Sequence, residues 1–309
     1  MRLDPLTAQL LANGPFERTN APYRLLQLTG PDAGEFLQRL CTQDVRGLAD
    51  GQLAPAAFLD SKGKLLVTCL VFRLGKAFWF ETQAEQVERL AALLERYHFT
   101  EKIAIVPVAP RPCREVIAVA SSASERDGKV TMLDEWPVVH FARRGVAFVR
   151  AYGDVDAKRL RGEAGLAGEP KPLTPEFAEC LRMVAGLVRV GLETEPSTLA
   201  LEADLDDHCS TTKGCYTGQE IVARINTYGH VNRKLCLLHL PAGPEITTPV
   251  ALHEIEDQLP VGRVMHAVPV PDHAMRIALG YLPKDFQALG TKLALPDGGD
   301  VTVIGFEAP

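Results

Sequence analysis

The chain has 309 residues, of which 23% are charged and 46% hydrophobic, with a formal net charge of -6 and a pI near 5.8. That length buries a sizeable core and suits two or three compact units, and the composition excludes a largely disordered chain or a fibrous repeat. The acidic balance gives no general attraction to phosphate backbones and no apolar run is long enough to span a bilayer, so neither nucleic acid nor membrane is an expected partner.

Met1 to Asn20 carries Asp4 and Glu17 and no apolar core of signal-peptide length, so the expected location is the cytoplasm. Arg24 to Leu28 reads as a strand, after which Thr29-Gly30-Pro31 opens a helix with proline at its first position. Phe36, Leu37, Leu40 and Cys41 recur there at helical spacing and face a core. Leu53 to Leu59 and Leu65 to Arg73 flank Asp60-Ser61-Lys62-Gly63-Lys64 as a hairpin, continued by Ala77 to Glu81. Val87, Leu90, Leu93, Leu94 and Tyr97 form one helix stripe, and Lys102 to Ala109 returns to a strand.

A second round follows, with strands over Glu115 to Ala120, Val130 to Leu133, Val138 to Ala142 and Val146 to Tyr152, and helices near Val155 to Gly162 and Pro175 to Gly186. Antiparallel strands alternating with helices on one face give an α+β architecture of two related halves, split near 110, and not a parallel doubly wound sheet. From Lys234 the helical period disappears. Short runs such as Leu235 to Leu240, Gly262 to Val268 and Val301 to Phe306 alternate with Pro/Gly turns, which predicts a small β-barrel over 236–309 after a first region over 1–235.

The cysteines are Cys41, Cys69, Cys113, Cys180, Cys209, Cys215 and Cys236, an odd number scattered through a large chain, so reduced thiols are expected. No pair has the two-residue spacing of redox or zinc motifs, and no protein-ligated metal site is expected. His208 beside Cys209 does not change this, because adjacent residues on an extended segment point oppositely.

The most informative stretch is Lys213-Gly214-Cys215-Tyr216-Thr217-Gly218-Gln219-Glu220. Thr217 with Glu220 reads as a capping box, so a helix is expected from Thr217 until Gly229 supplies a left-handed stop. The helix dipole and Lys213 would then both favour a thiolate at Cys215, and Gly214 and Gly218 would let backbone amides approach a planar or anionic ligand. Read locally, the simpler account is that Cys215 is an inert buried thiol, the glycines a turn, Glu220 a cap partner and Arg224 a solvated helix position.

This octapeptide resembles the signature of the YgfZ family, a branch of the aminomethyltransferase (GcvT-like) superfamily. The likeness continues through Ile221-Val222-Ala223-Arg224 and Gly229-His230-Val231-Asn232-Arg233-Lys234-Leu235, and upstream through Phe36-Leu37-Gln38 with Asp44 and Phe58 to Lys64. It implies two ferredoxin-like halves around a central folate-binding hole, with the C-terminal barrel beside them. It also implies tetrahydrofolate or a derivative as ligand, iron–sulfur client or assembly proteins as partners, and Cys215 as a functional thiol. Folate contacts are expected from Lys213, Gly214, Tyr216, Gly218, Gln219 and Glu220. Arg224 and Arg233, with Lys213, would suit the glutamate tail, and Glu202 or Glu193 the pterin N–H groups.

Transferases of this superfamily resemble one another in carrying paired aspartates after the first hairpin glycines, where this chain has Val67 and Thr68. They also share a Leu-Arg-x-Glu-x-Gly segment, whose counterpart is Leu181-Arg182-Met183-Val184-Ala185-Gly186, with Val184 in place of the glutamate. The implied function is therefore an accessory factor that binds folate and supports assembly or repair of iron–sulfur enzymes. A folate-dependent one-carbon transferase and a non-folate interaction scaffold are the alternatives.

Overall fold

The structure, a computed structural model, describes residues 5–120, 127–165, 169–243, 245–256 and 258–305, with Tyr228 described by its backbone alone. Asp4 and Phe306, both used in the sequence reading, lie outside them. The chain divides into two compact units, one made of the residues up to Leu173 with Asp207–Gln219, the other of Thr174–Asp206 with the residues from Glu220 onward. The units interleave in sequence, whereas the sequence reading placed a boundary near 235.

In the first unit a five-stranded antiparallel sheet runs in the order Leu53–Leu59, Leu65–Leu74, Ala77–Gln83, Tyr23–Thr29, Ala104–Pro107. Alternation decides its faces. Leu26, Leu28, Phe58, Val67, Cys69, Val71 and Phe80 join Phe36, Leu37 and Leu40 of the Ala33–Leu40 helix, and Leu90 and Leu94 of the Val87–Arg96 helix, in one buried core. Each such Leu or Phe contributes about 1.5–3 kcal/mol on burial. Strand, helix, strands, helix, strand is the order the sequence predicts, with three strands between the two helices.

The second sheet of this unit has six strands, ordered Lys171–Pro172, Phe16–Arg18, Cys113–Val119, Val146–Tyr152, Trp136–Arg143, Lys129–Leu133. Its covering helix, Ala157–Ala164, is capped by the Asp156 carboxylate accepting from Arg159 N and packs Leu160 on Val116, Val138 and Val149. The Phe16–Arg18 strand, inserted between Lys171–Pro172 and Cys113–Val119, is too short to show a period, and the sequence reading did not include it. The two sheets are stitched edge to edge, Leu53 N donating to Gly128 O and Val130 N to Gly51 O.

In the second unit Arg233–Pro241, Met275–Pro283, Pro260–Pro269, Val250–His253, Lys292–Ala294 and Asp300–Gly305 close a barrel in that order, filled by Leu238, Leu240, Leu252, Val264, Leu282, Leu293 and Val301. The Pro175–Val184 helix, capped by Thr174 with proline in its first turn, carries Arg182. Buried Arg182 donates to Glu193 at 2.5 Å and to Glu179 at 2.6 Å. Among the described residues no helix is long and apolar enough to cross a membrane.

Two expected helix starts are corrected. The first helix begins at Ala33 with Asp32 as its cap residue, and the Asp32 carboxylate accepts from Lys102 N at 2.7 Å instead of capping the helix; Pro31 therefore precedes the cap. The helix expected from Thr217 begins at Gln219, because Gly218 is left-handed at φ +82° and breaks the helical path. Its expected stop holds, Gly229 having φ +102° and donating to Ile225 O.

Barrel closure depends on a close approach at Gly280, where a Cβ would lie 2.7 Å from Arg263 O and 2.9 Å from Leu238 Cδ1. Gly280→Ala is expected to destabilise by about 1–3 kcal/mol, while Gly47→Ala, with nothing within 4 Å, is expected to be neutral or slightly stabilising. Chemical denaturation of both variants checks this; equal effects would remove the close-packing account.

Candidate functional site

Of the seven cysteines, six are buried and Cys215 is exposed. Burial pushes the Cys41 thiol up to about 11 and the Cys180 and Cys236 thiols up to about 12, and raises Cys69 and Cys113 likewise. Burial thus disfavours the thiolate, the nucleophilic form, at each of these positions.

The loop that presents Cys215 is held from three sides within the first unit. Thr217 N donates to Arg39 O at the end of the first helix. Gly218 packs on the 60–64 hairpin turn so closely that a Cβ would meet Asp60 O at 2.6 Å, while the Asp60 carboxylate keeps that turn closed by accepting from Lys62 N and Lys64 N, both at 2.8 Å. Lys213 supplies the third hold. Its ammonium is buried and donates to Cys41 O at 2.6 Å and Gln43 O at 2.9 Å, with the Tyr216 ring centroid at 5.0 Å.

These contacts alter two expectations. Lys213 is spent on two backbone carbonyls and the Tyr216 face, so its charge serves the loop's anchorage; burial also lowers its pKa. The missing side chain of Gly218 is used by the hairpin turn, whereas Gly214 has nothing within 4 Å of its Cβ position and stays open. Tyr216 is buried, its hydroxyl without a hydrogen-bond partner. Gln219 Nε2 reaches Lys213 O at 3.5 Å. Upstream, His208 Nδ1 lies 2.7 Å from Asp207, which Arg143 grips at 2.8 Å.

The remaining predicted residues belong to the second unit. Glu220 and Arg224 are exposed on the Gln219–Tyr228 helix. Arg233 and Glu202 come together, Arg233 Nε lying 3.5 Å from Glu202 Oε1, with Arg233 also 3.3 Å from Glu195 and 4.8 Å from the Tyr281 ring centroid. Glu193, expected as an exposed pterin partner, is fully buried and bound to Arg182 and Arg189 N. Glu179, Glu193 and His266 bring donor atoms within 4.8 Å of one another, but Arg182 already supplies their countercharge.

A groove in the first unit escaped the sequence reading. It is lined by Tyr23, Arg24, Leu25, Val108, Ala109, Arg111, Trp136 and Tyr152. The Arg111 guanidinium stacks 4.4 Å from the Trp136 ring centroid, and Arg24 has a buried Nε without a partner. Beneath Tyr23 and Tyr152 lies a buried charge cluster. Arg150 donates to Glu81 at 2.5 Å and to Glu115 at 2.7 Å, Tyr152 Oη donates to Glu81 at 2.6 Å, and Arg18 donates to Glu115 at 2.7 Å. The signal was present as charged residues inside apolar strand runs, Phe78-Trp79-Phe80-Glu81 and Phe148-Val149-Arg150.

No family profile matches the chain. The "tRNA-modifying protein YgfZ" of Escherichia coli is 30% identical over 271 residues, 81% of this chain and 80% of the relative; its namesake in Shigella dysenteriae is 29% identical over the same shares. The glycine cleavage system aminomethyltransferase T of Bartonella henselae superposes with a TM-score of 0.79 at 18% identity, covering 98% of this chain and 88% of that one. The fold is therefore that of the aminomethyltransferases, α+β with two ferredoxin-like sheets and a closed barrel, and by its sequence the chain belongs to the YgfZ family.

Proposed function

We propose that the chain is a cytoplasmic, tetrahydrofolate-binding accessory protein that supports assembly or repair of iron–sulfur enzymes, with Cys215 as its working thiol. The observation that carries this reading is the presentation of Cys215, the exposed cysteine among six buried ones, on a loop fixed by Lys213, Thr217 and Gly218. Such anchorage suits a thiol that meets a partner at a defined geometry.

The relatives' name ties them to tRNA modification. For this chain the same outcome would run through client enzymes, since a net charge of -6 gives little general affinity for an RNA backbone. A one-carbon transferase is disfavoured at Val67, which packs in the sheet–helix core, and at buried Val184; neither offers a proton-transferring group.

Anaerobic calorimetry with tetrahydrofolate is expected to give saturable binding to the wild type, retained in Cys215→Ala. No binding by either form would leave the scaffold alternative. Separately, iodoacetamide at neutral pH is expected to label Cys215 at least tenfold faster than any other cysteine. Lys213→Met should change that rate by freeing the loop while Lys213→Arg restores it; an unchanged rate in both would deny Lys213 its anchoring role.

A further inference from the structure

A hairpin between the Leu53–Leu59 and Leu65–Leu74 strands needs only a turn, and Asp60 to Lys64 supplies more than that. The Asp60 carboxylate accepts from Lys62 N and from Lys64 N through one oxygen, Oδ1, at 2.8 Å each. Its backbone N donates to Lys64 O, and its carbonyl accepts from Gly63 N, both at 3.0 Å. The turn is therefore closed from a single residue, by side chain and main chain together.

Gly218 lies against this closed turn. A Cβ built there would meet Asp60 O at 2.6 Å, Leu59 Cβ at 3.0 Å and Gly63 Cα at 3.1 Å. Backbone and a Cβ face a glycine at this contact, so no flexible side chain stands between turn and loop to absorb a shift. A change in the shape of the turn passes to Gly218 and onward to Cys215, because Tyr216 between them is buried and Thr217 N is bonded to Arg39 O. Turn and loop both belong to the first unit.

We infer that Asp60 is a positioning residue for Cys215: by holding the 60–64 turn in one shape, its carboxylate builds the seat on which Gly218, and with it the thiol loop, rests. The inference rests on the reading of Cys215 as the working thiol. Lys213 anchors the chain before Cys215 and the Asp60 turn anchors it after, so the exposed thiol is bracketed. A thiol on a free loop loses conformational freedom each time it meets a partner, whereas a seated one has lost it beforehand. Asp60 acts through Gly218 and not on the thiol itself.

The test attaches a methanethiosulfonate nitroxide to Cys215, the exposed cysteine, and reads its mobility by electron paramagnetic resonance in the wild type, Asp60→Ala, Asp60→Asn and Lys62→Ala. Asparagine keeps a side-chain oxygen able to accept from both turn amides. Lys62→Ala removes an exposed side chain and keeps the amide that Asp60 binds. The label is expected to tumble at least threefold faster in Asp60→Ala, and the Thr217 amide to exchange with solvent at least tenfold faster, while Asp60→Asn and Lys62→Ala match the wild type.

A label equally mobile in the wild type and Asp60→Ala overturns the inference, even where the denaturation midpoint falls, since Asp60 would then stabilise a turn and position nothing. Asp60→Asn behaving like Asp60→Ala overturns it as well. In the wild type, the Lys62, Lys64 and Thr217 amides are expected to exchange through one shared opening, at protection factors within about threefold of one another. Separate openings overturn the inference even if Asp60→Ala does not fold. Cys215→Ala that sustains iron–sulfur enzyme activity in cells as well as the wild type would remove the working-thiol reading and leave the effect of Asp60 on the label standing. An unmoved label beside a Cys215→Ala defect would do the reverse.

Discussion

The two sheets of the first unit meet across one buried guanidinium. Arg18, Glu115 and Arg150 sit side by side on three neighbouring strands, in register, and Arg150, joined by Tyr152, reaches across to Glu81 on the other sheet. Two arginines against two glutamates balance the charge, and each carboxylate keeps hydrogen bonds to both oxygens, as burial demands. Breaking such a pair by removing one partner costs about 3–5 kcal/mol, so the strands that carry the four residues are constrained together. The Phe16–Arg18 strand, far from these partners in sequence, is held in the six-stranded sheet partly by this demand.

The same economy of charge organises the thiol loop. A lysine ammonium removed from water needs acceptors, and Lys213 finds two carbonyls at the end of the first helix and an aromatic face. The loop is therefore positioned by a cation whose electrostatic effect is consumed where it sits. Cys215, two residues on, is left exposed while every other thiol is buried. Burial of the other six disfavours their thiolates by desolvation, so the fold leaves Cys215 as the thiol that solvent reaches.

Most of the fold was legible because its signals are local and periodic. The Leu65–Leu74 and Ala77–Gln83 strands and the Val87–Arg96 helix were readable from alternation and from the 3.6-residue stripe. The short strands at 16–18 and 171–172 were not, since they exist through pairing with Cys113–Val119 and with each other. At the site, the sequence pointed to Cys215 and its loop but assigned Lys213 and Gly218 to a ligand. Their real partners, Cys41, Gln43 and Asp60, lie roughly 160–170 residues away in the chain, a separation that no local pattern spans. The start of the following helix was misplaced for a related reason: Thr217 and Glu220 satisfy the capping pattern, but Gly218 is left-handed.

The carboxylates lost from the transferase pattern have a structural counterpart. Val67 lies on the helix-covered face of its strand, inside an apolar core, where an unpaired aspartate would be strongly disfavoured. Thr68 points to the opposite face, and on the next strand Glu81, opposite Leu70, occupies that same face. An acidic group thus remains on the side of the sheet away from the helices, one strand over from where the transferases carry theirs, and it is bound to Arg150. Both of its oxygens are committed, one to Arg150 and the other to Tyr152. The acidic group on this face is therefore a tie between the two sheets, committed to an arginine and a tyrosine of the neighbouring sheet.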